Sequence, residues 1–419
     1  MNKPKIMPYI CLVLTLISLI PNLVLAQQEL NNYQKMASEN NPRLKSLFQH
    51  YMAALERLPQ AKALPDPQVA FGIFISPVET RVGAQRATIS VSQMFPWFGQ
   101  LKAQEQVEVQ IAKSRYKLFE DAKFRLGFEV KATYNNLYVL REAIDITSEN
   151  IELMSTFKQL AIVKFEGGRG SFVDVLRVEM EMAELENQLE LLNDRQMPLQ
   201  VKFKELLNTD IGGPVIFPDT LWQDQLTLNK QAIYDSILFQ NPLLKKLDYQ
   251  ILSLEREVEV AQKSGMPSFN VGLNYINVQE RTDVTIADNG KDAFILPQVG
   301  VRIPLYRKKY QAMIKEKEIK QQAIRYEKED TSNKLATNLE EGYKDYLGAN
   351  RRIALYQRLH GLAKQSLDIL MAEYTSAGSD FEEILRMGRQ VLKYALELEK
   401  ARADQNTSVA YIQYLMGKY

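Results

Sequence analysis

Two stretches of the chain alternate between apolar and small or polar residues with a period of two. Phe269-Asn270-Val271-Gly272-Leu273-Asn274-Tyr275 and Val299-Gly300-Val301-Arg302-Ile303 flank a polar loop that holds Asn289-Gly290, a favoured hairpin pair. The same alternation runs through Gln68–Ile75 and Ala87–Phe95, with Val69, Phe71, Ile73, Ile89 and Val91 on one face. Elsewhere the period is helical. After Pro96 a three-four spacing of Leu126, Val130, Thr133, Leu137, Leu140, Ile144, Thr147, Ile151 and Met154 makes a coiled-coil seam. That helix reaches Phe165 without a proline, roughly 100 Å at a helical rise. Further helices are expected from Asn32 to Pro59, Phe172 to Leu207, Lys230 to Lys263, Pro304 to Tyr374, and on to Met416 after a break at Ala377-Gly378.

These elements recur. Asn41-Pro42-Arg43-Leu44 matches Asn241-Pro242-Leu243-Leu244, and Pro67-Gln68-Val69 matches Pro267-Ser268-Phe269, both at an offset of 200 residues. Phe95-Pro96-Trp97-Phe98 matches Ile303-Pro304-Leu305-Tyr306 at 208, and Phe172-Val173-Asp174-Val175-Leu176-Arg177 matches Phe381-Glu382-Glu383-Ile384-Leu385-Arg386 at 209. Four anchors in order point to a tandem duplication. The expected organisation is a leader at 1–26, a first repeat at 27–211, an irregular linker at 212–228 and a second repeat at 229–419.

Four strands cannot enclose a lumen, and an open strand edge cannot face lipid. Several copies should therefore pool their hairpins into one barrel. Thr88, Ser90, Asn270, Asn274, Gln298 and Arg302, on the polar face, imply a wet interior.

The N-terminus reads as a secretory leader: Lys3 and Lys5, an apolar run from Ile10 to Leu25, and Val24-Leu25-Ala26 before Gln27. Its removal takes away Cys11, the single cysteine, and leaves 50 basic against 51 acidic residues. The mature chain then has no thiol chemistry, and its charge balance gives nucleic acid no footing. No later segment is apolar enough for a spanning helix, so strands must do any membrane crossing.

The duplicated strand-strand-long-helix plan, the Asn-Pro openings at Asn41 and Asn241 and the helix-hairpin tips together resemble the TolC family of outer-membrane efflux channels, over essentially the whole mature chain. The resemblance implies a mainly α fold with a small β part: a homotrimer with a twelve-stranded outer-membrane barrel continued by a twelve-helix periplasmic tube. It implies, as partners, a periplasmic adaptor (membrane fusion protein), an inner-membrane pump of the RND type and outer-membrane lipid, with no cofactor. Leu64-Pro65-Asp66-Pro67 and Phe95-Pro96-Trp97-Phe98-Gly99 look like the heavy-metal cation efflux branch. The implied role is a passive exit duct for metal cations or small toxic compounds. A soluble periplasmic coiled-coil adaptor or scaffold is the alternative, but an adaptor needs a compact β domain and a scaffold needs no matched strands.

In the family the second-repeat tip lines the aperture with two carboxylates one helical turn apart. Glu383 takes the first place, and Arg386 stands where the second acid would be. Asp380 and Glu382 supply further carboxylates on the same stretch. Read locally, Glu382 and Arg386 are four apart, a plain surface ion pair. The first-repeat tip, Arg169, Gly170, Ser171 and Asp174, corresponds to the adaptor-docking end. Its glycines are needed anyway to reverse the chain, which leaves Arg169 as the contact candidate.

Catalysis finds no footing. His50 and His360 stand alone without ligand spacing, and the carboxylates sit among lysines and arginines on helix faces. Met154, Met180, Met182 and Met387 read as seam filler rather than soft-metal ligands.

Overall fold

The computed structural model describes residues 27–209, 213–283, 285–376 and 381–418. The expected leader therefore lies outside the described residues. The chain forms α1 (27–40), α2 (Pro42–Leu55), α3 (Arg57–Lys62), β1 (Gln68–Thr80), β2 (Gly83–Phe95), α4 (Gln100–Glu166) and α5 (Phe172–Leu207). It continues with α6 (Lys230–Gln240), α7 (Pro242–Ser264), β3 (Ser268–Gln279), β4 (Ala293–Arg302), α8 (Arg307–Ser376) and α9 (Phe381–Leu415). The result is mostly helical with one small sheet. Among the described residues no helix is long and apolar enough to cross a membrane.

One compact unit comprises Leu47–Phe119 and Leu243–Thr331. Its four strands form an antiparallel sheet in the order β1-β2-β3-β4, so β1 and β4 are open edges. Register places Val69 opposite Val91, Phe71 opposite Ile89, Val91 opposite Leu273 and Val271 opposite Val299. Every one of these belongs to a single face. That face is bare: Phe71 is 76% and Ile75 98% exposed. The opposite face pairs Ala70 with Ser90, Ser90 with Asn274 and Gly272 with Gln298, and the Thr88 hydroxyl donates to Asn274 Oδ1 at 2.6 Å.

The strands run past their expected ends. β1 continues through Ser76-Pro77 to Thr80, with a register shift between Ile73 and Val78. Proline lacks a donor, but an edge strand has a side without a partner to tolerate it. Against the helices of this unit pack Phe48 and Phe119 (5.5 Å between centroids) and Tyr51 and Tyr116 (5.2 Å).

The other unit, as described, comprises 27–46, Glu120–Pro242 and Ser332 onward. The seam on α4 is its spine: Leu126, Val130, Thr133, Leu137, Leu140, Thr147 and Met154 are buried. The two helices expected to run unbroken, Asn32 to Pro59 and Lys230 to Lys263, both break at an Asn-Pro pair. Asn41 Oδ1 accepts from the Arg43 and Leu44 amides, and its Nδ2 donates to the Leu206 carbonyl at 3.3 Å. Asn241 Nδ2 donates to the Leu415 carbonyl at 2.9 Å. Each asparagine thus satisfies a last-turn carbonyl of the helix it meets, α5 or α9. Just beyond, Asn208 and Gly417 end those helices with left-handed φ of 48° and 66°.

Residues 213–229, between α5 and α6, are irregular yet stapled down. Tyr134 donates to the Ile216 carbonyl at 2.9 Å, and the Leu221 amide donates to the Tyr138 hydroxyl at 3.1 Å. Asn406 accepts from the Asp224 amide and donates to the Trp222 carbonyl, each at 2.8 Å.

Candidate functional site

The two helix-hairpin ends lie together in this second unit. Their common core contains Met154, Phe157, Val175, Val178, Leu367, Tyr374, Phe381, Ile384 and Leu385, drawn from α4, α5, α8 and α9. Met154 is core here, with Met182 and Met387 packed against it, while Met180 is exposed. Apolar residues at three-four spacing hold these ends in place, so the polar residues between them are fixed at the surface.

At the first turn, α4 closes with Gly168 at φ 66°, while the Gly168 and Arg169 amides donate to the Phe165 and Lys164 carbonyls. This pattern satisfies the last helical carbonyls and needs a glycine at its left-handed position. Ser171 caps α5, its Oγ accepting from the Val173 amide at 3.1 Å. Asp174 sits in the first turn of α5, where the helix dipole favours a carboxylate. Ser171 and Asp174 thus have structural work at the turn, as does Gly170, where an added Cβ would meet Lys164 Cβ at 3.0 Å. Arg169 is exposed and meets no carboxylate among the described residues.

At the second turn α8 ends at Ser376 and α9 starts at Phe381; Asp380 lies outside the described residues. Glu383 and Arg386 face each other one turn apart on α9, Arg386 Nε donating to Glu383 Oε2 at 2.9 Å. That hydrogen bond, with the guanidinium charge, holds the Glu383 carboxyl below its ordinary value. The i,i+4 pair of Glu382 with Arg386 does not form. Instead Arg177 on α5 takes Glu382, Nη2 to Oε2 at 3.1 Å, and also reaches Asp174 Oδ1 at 3.4 Å. Packing α5 against α9 brings a guanidinium from another helix to Glu382, a partner that local spacing could not reveal.

Sequence reasoning also missed Lys164. Its ammonium donates to the Tyr374 carbonyl and stands 3.7 Å from the centre of that ring, linking the ends of α4 and α8. The signal was a lone lysine in the last turn of α4, a common placement that names no partner. Deeper in, Arg389 meets the buried Glu181 at 3.0 Å. The arrangement is a set of cross-helix ties around a packed core. Among the described residues no group of three or more histidine, cysteine or acidic side chains is placed to hold a metal ion.

Two apolar stripes in this unit are left bare. Leu355, Leu362 and Ile369 recur every seven residues along α8, and Phe172, Leu176 and Met180 every four along α5; all are exposed.

No protein-family profile matches the chain, and no curated protein matches its sequence. Solved structures do. CusC, whose structures concern folding and transmembrane channel formation, superposes with a TM-score of 0.77 at 15% identity, over 94% of this chain and 92% of that one. The outer-membrane protein VceC from Vibrio cholerae gives 0.74 at 14%, over 93% and 96%. The CmeC outer-membrane channel of Campylobacter jejuni gives 0.73 at 14%, over 93% and 85%. At these identities the likeness is one of fold, and it spans nearly the whole length of both partners. The chain has the fold of the TolC-family outer-membrane efflux channels.

Proposed function

We propose that three copies of this chain form a passive outer-membrane exit duct, the last component of a tripartite efflux system. One observation carries this reading: a four-stranded sheet with two unpaired edges, a bare apolar face and a polar face. Such a sheet is unstable alone in water and forbidden alone in lipid, whereas edge-to-edge closure with identical copies removes both difficulties. Strands of 10 to 13 residues suffice for a tilted bilayer crossing. The bare stripes on α5 and α8 supply the helical seams between copies.

In this reading twelve strands make the barrel and the helices continue it into the periplasm of a Gram-negative cell. A periplasmic adaptor and an RND-type pump deliver the cargo, metal cations or small toxic compounds, and the channel adds no catalysis. The chain is a duplicated unit, a view supported by Asn41 with Leu206 and Asn241 with Leu415, bonded alike at the offsets of 200 and 209 found in the sequence. In this reading Glu383, Glu382 and Arg386 ring the periplasmic aperture, Asp380 is counted with them from the sequence alone, and Arg169 heads the adaptor contact.

Fractionation and electrophoresis test the proposal. The chain should enter the outer-membrane fraction, run as an SDS-resistant trimer and conduct in planar bilayers. A soluble periplasmic monomer would sink it in favour of the adaptor or scaffold reading.

A further inference from the structure

The junction between β4 and α8 carries a charge pattern that a water-filled duct does not require. β4 ends at Arg302, and after Ile303-Pro304-Leu305-Tyr306 the helix α8 opens with Arg307-Lys308-Lys309. No acid stands anywhere from 293 to 315. The start of a helix carries the positive end of its dipole, so three cations there destabilise it. α8 has no acid in its first turn to offset them.

Nor do the three cations find acids elsewhere among the described residues. Arg307 Nη1 donates to the Gly265 carbonyl at 2.8 Å, and Lys309 Nζ lies 5.8 Å from the centre of the Tyr310 ring. Lys308 is exposed and without a carboxylate partner.

Beside them is a bare apolar rim. Leu305 is 75% and Tyr306 83% exposed, and in the matching segment after β2 Phe98 is 77% exposed. Trp97 and Phe98 lie 6.1 and 6.2 Å from Phe269 at the start of β3, so the rim continues the bare apolar face of the sheet. Apolar strands, then aromatics, then unpaired cations is the order of environments met on leaving a bilayer core.

We propose that Arg307, Lys308 and Lys309 bind the phosphate headgroups of anionic phospholipids in the leaflet at the helix-bearing end of the sheet. The aromatic rim seats those lipids' glycerol and upper acyl region. The anionic headgroup supplies the charge that the chain itself does not, and it relieves the repulsion between the cations and the start of α8. This inference rests on the membrane reading above.

The test is lipid retention. The purified oligomer is reconstituted in phosphatidylcholine vesicles with and without phosphatidylglycerol, re-extracted, and its retained lipid measured by mass spectrometry. Wild type should keep phosphatidylglycerol over phosphatidylcholine by about fivefold or more, since one cation near a charged surface alone supports about that factor. High salt should erase the preference. The variant Arg307→Gln/Lys308→Gln/Lys309→Gln should lose it while still running as an SDS-resistant oligomer. If that variant does not assemble, the salt dependence of the wild type alone decides. Equal retention of the two lipids by a wild-type protein that inserts overturns the inference and leaves the duct standing, as does an unchanged preference in the variant. A wild type that never enters vesicles overturns the membrane reading itself.

Discussion

The guanidinium of Arg177, on the helix after the first turn, lies 3.1 Å from the carboxylate of Glu382, on the helix after the second. Both side chains are more than a third exposed, so solvent weakens the bridge to about 0.2–1 kcal/mol. In a trimer whose tips open together, three such bridges would shift the closed-to-open ratio by about three- to 150-fold. Arg177→Ala should therefore raise single-channel conductance in planar bilayers, and Arg177→Glu with Glu382→Arg should bring it back. Conductance unmoved by Arg177→Ala would show that the tie does not hold the tips.

Glu383 and Arg386 make the second prediction, one of pH. The carboxyl of Glu383 is held below its ordinary value of 4.5 first by the hydrogen bond from Arg386 and then by its charge. A depressed carboxyl stays ionised further into acid, and any stability it lends is present above 4.5 and lost as pH falls through the folded value. Cation selectivity that depends on Glu383 should thus persist below pH 4.5 in wild type. Arg386→Gln should move its midpoint upward, and Arg386→Asp should strengthen selectivity at neutral pH. Identical selectivity profiles for wild type and both variants would place the filter elsewhere.

The bare stripe on α8 gives the third. Leu355, Leu362 and Ile369 are half exposed or more among the described residues, and burying the exposed half of such a leucine against a neighbouring copy contributes about 1 kcal/mol. Leu362→Asp should turn the SDS-resistant trimer into monomer on gels, while Leu362→Met should leave it intact. A trimer as resistant with aspartate as with leucine would remove α8 from the subunit interface.

Much of this was legible in residues of strong habit. The alternation around Phe71 and Val271 gave the strands and their faces, and the seam through Leu126, Val130 and Leu137 gave the long helix. Strand length was not legible, because Ser76-Pro77 looks like a stop unless β1 is known to be an edge. The Asn-Pro pairs marked the repeat but not the helix breaks. Their meaning lies in bonds from Asn41 to Leu206 and Asn241 to Leu415, far apart in the chain. The staples of the linker are hidden for the same reason, since nothing near Asn406 announces the Trp222 carbonyl. At the tips, spacing suggested Glu382 with Arg386, whereas packing chose Arg177. Spacing offers candidate partners within a turn, but packing against another helix decides which of them form.

The last prediction tests the two faces of the sheet against each other. Ile73 and Ser90 lie on the two strands of one hairpin, Ile73 on the bare apolar face and Ser90 on the polar face between Ala70 and Asn274. An arginine on the lipid face at mid-depth costs about 2–4 kcal/mol per chain, threefold in a trimer. Ile73→Arg should therefore reduce outer-membrane insertion and the yield of SDS-resistant trimer. Ser90→Asp should leave both near wild type and instead raise cation selectivity, because a lumen charge meets water and permeating ions rather than acyl chains. The reverse pattern, insertion lost with Ser90→Asp and kept with Ile73→Arg, would mean that the sheet closes with its apolar side inward. A barrel of that kind could not stand in a bilayer.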